Sequence, residues 1–276
     1  MSWHARLQVH YENASGRTRA RFEHEGPLRI LQSLYPEGDA ICHNVVVHPP
    51  SGLVAGDRLD IEVDVDSGAH GLVTTPGATR FYRSTGEVAV QSARITLQPN
   101  ARLEWLPLET LCYSGCRAEN RVAVTLASGA ELMGWDLTAL GLPAAGRPFV
   151  DGSVLQQVAI DGVWLERGIV RADDHRLMDG PLGLAGNRCL ATLYFAAGDA
   201  LPRERRTAAL ELARELIEAH PLAAQAGATA PHERVLVLRV LSPLVEPAMD
   251  LLTRVRNAWR MALWSLPPSL PRTWAL

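Results

Sequence analysis

The chain has 276 residues, of which 47% are hydrophobic and 21% are charged, and its formal net charge is −3 at neutral pH. This charge argues against a nucleic-acid-binding protein, which would usually be strongly basic. The first residues contain no apolar run of signal-peptide length, and no stretch approaches the roughly 18 apolar residues of a membrane span. Because the four cysteines follow no regular framework, we expect a cytoplasmic protein with reduced thiols.

Many short β-strands are predicted between residue 5 and about residue 200, because apolar and polar residues alternate in segments bounded by Gly, Pro, Asp and Ser. The predicted strands are 7–11, 19–22, 28–31, 41–48, 59–66, 88–97, 101–106, 121–126 and 131–135. Segment 59–66 is the clearest, and we interpret its four carboxylates as the solvated face of a half-buried strand. The dipeptide Asp161-Gly162 predicts a two-residue hairpin turn between strands 155–160 and 163–166.

Two helices are predicted in the C-terminal third, at 203–219 and 247–264, where apolar residues recur at helical spacing. We expect their apolar stripes to pack against the core and their arginines to be exposed. A strand at 234–241 separates them, and the proline-rich segment 266–271 is expected to be extended and on the surface. These elements indicate a sandwich, a barrel or a solenoid-like β architecture, in a single domain over 1–276. No sequence repeat of fixed period is present, so periodicity alone does not predict a solenoid.

Cysteine and histidine provide the candidate metal ligands. Cys112 and Cys116 form a C-x-x-x-C spacing without a second pair, and we interpret them as small buried side chains around a turn, since a structural zinc site needs four ligands. Cys42 and His43 would suit Ni, Cu or Zn. On a strand, however, adjacent side chains point to opposite faces, which disfavours a shared metal ion.

Two carboxylates, Glu104 and Glu109, flank the apolar segment W-L-P-L, and a carboxylate beside apolar surface usually needs a partner. Asp57 either pairs with Arg58 or caps the turn that precedes it. No G-x-S-x-G motif or other recognisable active site is present. The residues alone therefore favour a binding or assembly role over an enzyme.

Five motifs occur in order along the chain. They are G-P-L with Y-P-E-G at 26–38, H-P-P-S-G-L-V-A-G-D at 48–57, T-T-P-G-A-T-R-F-Y-R-S at 74–84, E-W-L-P-L-E-T at 104–110 and L-G-L-P-A-A-G at 140–146. Together they resemble the urease accessory proteins of the UreD family, also called UreH. Ser51 and Ala55 stand where that family usually has glycine, so we expect either negative φ or a strained backbone at both positions.

The resemblance implies a large β scaffold, roughly β-helical, with two helices on its edge. It also implies a metallochaperone component that is not an enzyme. Such a protein would bind apo-urease, a UreF-type partner and, through it, a UreG-type GTPase. Nickel would pass transiently through an internal route, and no cofactor would be bound stably.

Most candidate residues for the nickel route lie in these motifs, and a surplus of tryptophan near the C-terminus suggests those for partner binding. For the nickel route they are Glu37, Cys42, His43, His48, Asp57, Thr79, Glu104, Glu109 and Asp136. For partner binding they are Trp259, Trp264 and Trp274. The alternative hypothesis is a cytoplasmic β-helical enzyme acting on carbohydrate, which would present Asp, Glu and Arg in an open groove. A stable metalloprotein using the cysteines is a third possibility.

Overall fold

The computed structural model describes residues 2–50 and 52–275. Its strands, in chain order, are β1 (His4–Ala14), β2 (Arg17–Glu25), β3 (Arg29–Leu34), β4 (Cys42–Val47), β5 (Arg58–Val65), β6 (His70–Thr74), β7 (Thr79–Phe81), β8 (Ala89–Leu97), β9 (Arg102–Leu106), β10 (Thr110–Cys112), β11 (Cys116–Leu126), β12 (Glu131–Leu142), β13 (Arg147–Pro148), β14 (Gly152–Ile160), β15 (Trp164–Arg171), β16 (Cys189–Ala197), β17 (Ala226–His232) and β18 (Val235–Ser242). Its helices are α1 (His175–Asp179), α2 (Arg203–Glu218) and α3 (Val245–Trp264). The prediction of a mainly β fold with two substantial helices in the C-terminal third is confirmed.

The chain coils between two stacked sheets. Sheet 1 has the strand order β15-β14-β11-β8-β5-β1-β2, and sheet 2 has the order β17-β18-β16-β12-β9-β6-β4-β3. From β4 to β14 the main strands alternate between the sheets, and neighbours within each sheet are parallel. Each turn advances the chain by roughly 30 residues, a length typical of solenoid turns, as the pairing of Arg58 with Val90 shows. The β-helix-like scaffold expected from the resemblance is therefore present without a sequence repeat.

Sheet 2 is covered on both faces, whereas sheet 1 is covered on one. A first core lies between the sheets and includes Val63 from sheet 1 and Leu103 from sheet 2. A second core lies between the other face of sheet 2 and helices α2 and α3, and it includes Leu193 and Trp259. Strand β6 is buried at every position, as expected for a parallel strand with both faces covered.

The other face of sheet 1 meets solvent, and its charges pair with one another. Asp60 on β5 accepts hydrogen bonds from His4 at 2.6 Å and from Arg58 at 2.8 Å. Glu62 accepts from Arg94 at 2.9 Å. The interpretation of the acidic row as a solvated face is therefore confirmed.

The hairpin between β14 and β15 differs from the prediction by one residue. Ile160 pairs with Trp164, so three residues form the turn instead of two. The Val163 N–H donates to the Ile160 carbonyl at 2.9 Å, and Gly162, with φ 65°, occupies the second central position of this turn, where a positive φ favours glycine.

The proline-rich segment 266–271 forms no helix and is exposed or half-buried up to residue 270, so the prediction of an extended surface segment is confirmed for 266–270, and the chain turns inward only at its end. Pro271 is buried, and Trp274 stacks on Trp135 with ring centroids 5.2 Å apart. The Trp274 indole donates to Thr74 Oγ1 at 3.0 Å. These contacts attach the residues that follow the proline-rich segment to sheet 2. Among the described residues, no helix is long and apolar enough to cross a membrane.

Candidate functional site

A row of amide side chains crosses the apolar interior between the sheets. Gln91 on β8, Asn120 on β11 and Gln156 on β14 occupy one rung, because the register pairs Gln91 with Asn120 and Asn120 with Gln156. Leu59 occupies the same rung on β5. Side chains above and below this rung on the inner face, such as Val122, are apolar and buried. The amides therefore form a narrow polar seam across sheet 1.

Asp136, on β12 of sheet 2, faces this seam. One carboxylate oxygen accepts from Asn120 Nδ2 at 2.6 Å, and the other accepts from Gln156 Nε2 at 2.5 Å and from Thr138 Oγ1 at 3.2 Å. No arginine or histidine forms an ion pair with it among the described residues. Removal from bulk water raises the pKa of Asp136 to about 6, and Glu166 adds to this rise while the Thr138 hydrogen bond opposes it.

The seam extends from one cavity to another. The first cavity, of about 220 Å³, is lined by Gln91 together with His48 and Thr79. The second, of about 240 Å³, is lined by Gln156 and Asp136 with Glu166 and Thr192. The amide row thus carries hydrogen-bonding groups through the apolar layer that separates the two cavities.

Three of the predicted route residues, Thr79, His48 and Asp57, lie at or near the first cavity. Thr79 and His48 line it directly. The His48 ring lies 4.9 Å from the ring of Trp3, and its Nε2 has no hydrogen-bond partner among the described residues. Burial lowers the pKa of His48, and the charge of nearby Asp57 acts in the opposite direction.

Asp57 itself caps a turn, which decides between the two alternatives set out for it. Its carboxylate accepts from the backbone N–H of Val54 at 2.9 Å and of Trp3 at 3.2 Å. Arg58 instead pairs with Asp60. Ala55 is not among the described residues with positive φ, as expected, whereas Ser51 lies outside the described residues.

A separate charge network lies on the other face of sheet 2, beneath α3. Glu104 is fully buried, and its Oε2 accepts a hydrogen bond from Arg256 Nε at 2.7 Å. Glu104 also forms an ion pair with Arg260. Arg260 continues to Glu37, and Glu37 accepts from His43 Nε2 at 2.9 Å. The expectation that Glu104 needs a partner is confirmed, and the expectation that the helix arginines are exposed is wrong for Arg256 and Arg260.

The network is electrically balanced, because two carboxylates face two guanidiniums. Burial would raise the pKa of Glu37, but the His43 hydrogen bond and the Arg260 charge outweigh burial and lower it. Desolvation lowers the pKa of Arg256, while Glu104 opposes this shift. Each Glu104 oxygen is already engaged by an arginine. In this arrangement the network clamps α3 to sheet 2, and a metal ion at Glu104 would meet the positive charges of two guanidiniums.

His70, on β6, lies beside this clamp. Its ring packs edge-on against Trp264, with centroids 5.2 Å apart, and its Nε2 finds no hydrogen-bond partner in the part of the chain that the structure describes. Burial lowers its pKa to about 3, and the positive charges of Arg102 and Arg260 contribute. The imidazole is therefore neutral at physiological pH.

Cys42 and Glu109 line neither of the two cavities and take no part in the charge network beneath α3 among the described residues. The Cys42 thiol points to the inner face of β4 and contacts Asn44 Oδ1 at 3.6 Å. It therefore does not share a site with His43, whose ring faces α3. Glu109 is half-buried, and its charge contributes to raising the pKa of Cys189, which burial raises to about 12.

Cys112 and Cys116 are both fully buried, and Cys112 has a raised pKa because it shares a hydrogen bond with Cys116 and lacks water. They are small buried side chains beside a turn, as interpreted from the spacing. Within the part of the chain that the structure describes, no three His, Cys, Asp or Glu side chains form a group able to hold a metal ion.

The tryptophans predicted to bind a partner are largely internal. Trp259 is fully buried and donates to the carbonyl of Ala209 on α2 at 2.9 Å. Trp264 is 5% exposed and donates to Glu131 at 2.7 Å. Because both rings stabilise the helix layer, neither offers surface to a partner in this conformation. Trp274 is partly exposed but packs on Trp135.

Sequence reasoning missed the amides Gln91, Asn120 and Gln156 as well as Glu166. None of them belongs to a recognised motif. The sequence does carry one signal, because each amide stands at a position of its strand where the alternation of apolar and polar residues would place an apolar side chain. That signal becomes visible only when the three strands are aligned in register.

The fold and site define a class of protein, namely a coiled β scaffold with a helix layer and an internal polar seam. The sequence matches the family described as "UreD urease accessory protein" over residues 4–275. Urease accessory protein UreD of Paracidovorax citrulli is 63% identical, with all of both chains covered. The proteins of that name from Variovorax paradoxus and Polaromonas naphthalenivorans are each 61% identical, again over the whole of both chains. The chain belongs to the UreD family of urease accessory proteins.

Proposed function

We propose that this chain is a maturation factor for urease and has no catalytic activity of its own. It acts as a scaffold that binds apo-urease and a UreF-type partner and, through that partner, a UreG-type GTPase. Nickel passes through it toward the urease active site. Family membership supports the role in urease maturation, and the internal architecture supports the passage of a cation.

The observation that carries the proposal is the polar seam between the two cavities. An unpartnered ion in an apolar medium costs several kcal/mol or more, so a cation crosses only where polar groups replace its water. The side-chain oxygens of Gln91, Asn120, Gln156 and Asp136 supply such groups in series. Glu166 and Thr192 extend them at the second cavity, and His48 and Thr79 extend them at the first.

The composition of this route suits transfer better than storage. A single carboxylate among neutral amides attracts a divalent ion, but it does not close a tight site. Fast passage requires binding that is weak enough for the ion to leave. The amide and carboxylate oxygens of the seam hold nickel less strongly than thiolates would. Glu37, His43 and Glu104 are not part of the proposed route, because they are engaged in the clamp beneath α3.

The experiment is urease activation in cells that express the urease subunits and the full accessory set, with Asn120→Leu introduced in this chain. At limiting nickel we expect urease activity and nickel content to fall about tenfold, which corresponds to about 1.4 kcal/mol on the barrier. Co-purification with the urease subunits should persist, because Asn120 is internal. The matched control is Gln8→Leu, which makes a similar change on the solvent face of β1. Equal activation by the two variants would refute the route.

Partner binding is tested separately, by co-purification of the tagged wild-type chain with a UreF-type protein, with a UreG-type GTPase and with apo-urease. We expect the GTPase to be retained only when the UreF-type protein is present. Retention of the GTPase without it would contradict the proposed order of assembly.

A further inference from the structure

The second cavity lies where sheet 1 ends and sheet 2 continues. Sheet 1 stops at β15, whereas sheet 2 extends beyond β16 to β18 and β17. Glu166 lines this cavity from β15, and the exposed Arg239 reaches Glu166 from β18; we call the position of this pair the mouth of the cavity. Their side chains meet with Arg239 Nε 3.1 Å from Glu166 Oε2, and Thr192 Oγ1 lies 3.3 Å from the other oxygen.

This ion pair has a distinct position in the fold. Among the ion pairs of the described residues, it alone joins a strand of sheet 1 to a strand of sheet 2. Elsewhere the two sheets are held together mainly by the large apolar core between them. The cohesion of the sheets therefore does not depend on the pair, and its location at the mouth calls for another explanation.

Arg239 is free to leave Glu166 at small cost. Its side chain is 50% exposed, and ion pairs of this kind contribute roughly 0–1 kcal/mol. Rotation of the Arg239 guanidinium into solvent would leave Glu166 without an ion-pair partner among the described residues, since Arg167, which also lines the cavity, does not pair with it. The cavity would then present the charges of both Glu166 and Asp136 to an approaching cation.

We propose that Arg239 is a gating residue for the second cavity: paired with Glu166 it closes the mouth to divalent cations, and withdrawn from Glu166 it opens the mouth. This inference rests on the proposed nickel route, and it adds that the entry of cations at one end of that route is regulated. The guanidinium acts by neutralising a carboxylate, so its effect is on cation capture and not on the integrity of the scaffold. Arg239 is thus a positioning residue that acts through Glu166.

The test is Arg239→Gln in the full accessory system, with urease activation measured across a nickel titration. We expect the nickel concentration for half-maximal activation to fall several-fold, while activation at saturating nickel is unchanged. Arg239→Lys should restore the wild-type titration because it retains the charge. The matched control is Arg94→Gln, which breaks an exposed Arg–Glu pair with Glu62 on the solvent face of sheet 1.

Epistasis supplies the second criterion. In a Glu166→Gln background, Arg239→Gln should have no further effect, because the carboxylate that it neutralises is gone. The gate is refuted if Arg239→Gln titrates like Arg94→Gln, if its effect persists without Glu166, or if only the saturating activity falls. If Asn120→Leu lowers activation while Arg239→Gln has no effect, the gate fails and the route stands. If Asn120→Leu also has no effect, the route itself fails.

Discussion

The buried pairing of Glu104 with two arginines predicts a large and specific loss of stability when the carboxylate is removed. Glu104→Gln preserves the shape of the side chain but leaves Arg256 and Arg260 with one carboxylate, Glu37, between them. All three side chains of the central cluster are fully buried. Water therefore cannot replace the lost countercharge without opening the contact between α3 and sheet 2.

The expected magnitude follows from the burial. Removing one partner of a buried ion pair costs about 3–5 kcal/mol, because the other charge remains desolvated. For chains of roughly this size each kcal/mol lowers Tm by about 2–4 °C, so the expected decrease is about 6–20 °C. The matched control, Glu62→Gln, removes a carboxylate from an exposed pair with Arg94. Its expected cost is below about 1 kcal/mol.

The assay is thermal and urea denaturation of the purified full-length chain, followed by far-UV circular dichroism for wild type and both variants. Arg256→Met combined with Arg260→Met in the Glu104→Gln protein should recover part of the loss, because no charge is then left unpaired apart from Glu37. If the free energy of unfolding of the Glu104→Gln protein lay within about 1 kcal/mol of the wild-type value, the Glu104 charge would not stabilise the contact between α3 and sheet 2.

Two further predictions concern the same scaffold. In the folded wild type the buried His70 imidazole has a pKa of about 3 and stays neutral, whereas in the unfolded chain it takes up a proton below about pH 6.5. The free energy of unfolding of the wild type therefore falls by up to about 1.4 kcal/mol per pH unit between pH 6.5 and pH 3. His70→Phe should make this pH dependence shallower. Urea denaturation at stepped pH measures this, and an unchanged slope in the variant would contradict it. Gly198→Ala should destabilise by about 1–3 kcal/mol or more, because an added Cβ would lie 1.8 Å from the carbonyl oxygen of Ala127. Gly227→Ala, with open space around the added atom, is the control, and equal denaturation midpoints for the two variants would refute the steric argument.

Local patterns predicted much of the fold. The alternation over 59–66 gave both the strand and its solvated face, because a period of two places like side chains together whatever the partner strand. The helices at 203–219 and 247–264 were predicted within two residues of their boundaries, since an apolar stripe at helical spacing is also a local signal. Pro247 lies within the first turn of α3, where its missing N–H costs no helical hydrogen bond.

The site was less accessible, because its contacts join distant parts of the chain. Glu104 could be expected to need a partner, but nothing near it in sequence identifies Arg256, 152 residues away. The amide row depends on the register of three strands, and register is a property of the assembled sheet. The burial of Trp259 was hidden from the sequence for a related reason: a ring with one N–H donor suits an interface and a core equally well, and only tertiary structure shows that Trp259 donates to Ala209.

The separation between Glu104 and its arginines also bears on how the protein is made. During synthesis Glu104 leaves the ribosome long before Arg256, and at 5–20 residues per second the interval is roughly 8–30 s. Throughout that interval, strands β6 and β9 lack the helix layer that covers their second face. The growing chain therefore carries an apolar surface and an uncompensated acid that only its last helix can cover. Completion of this fold waits for the final segment of the chain, and a truncated product would retain the surface most prone to association.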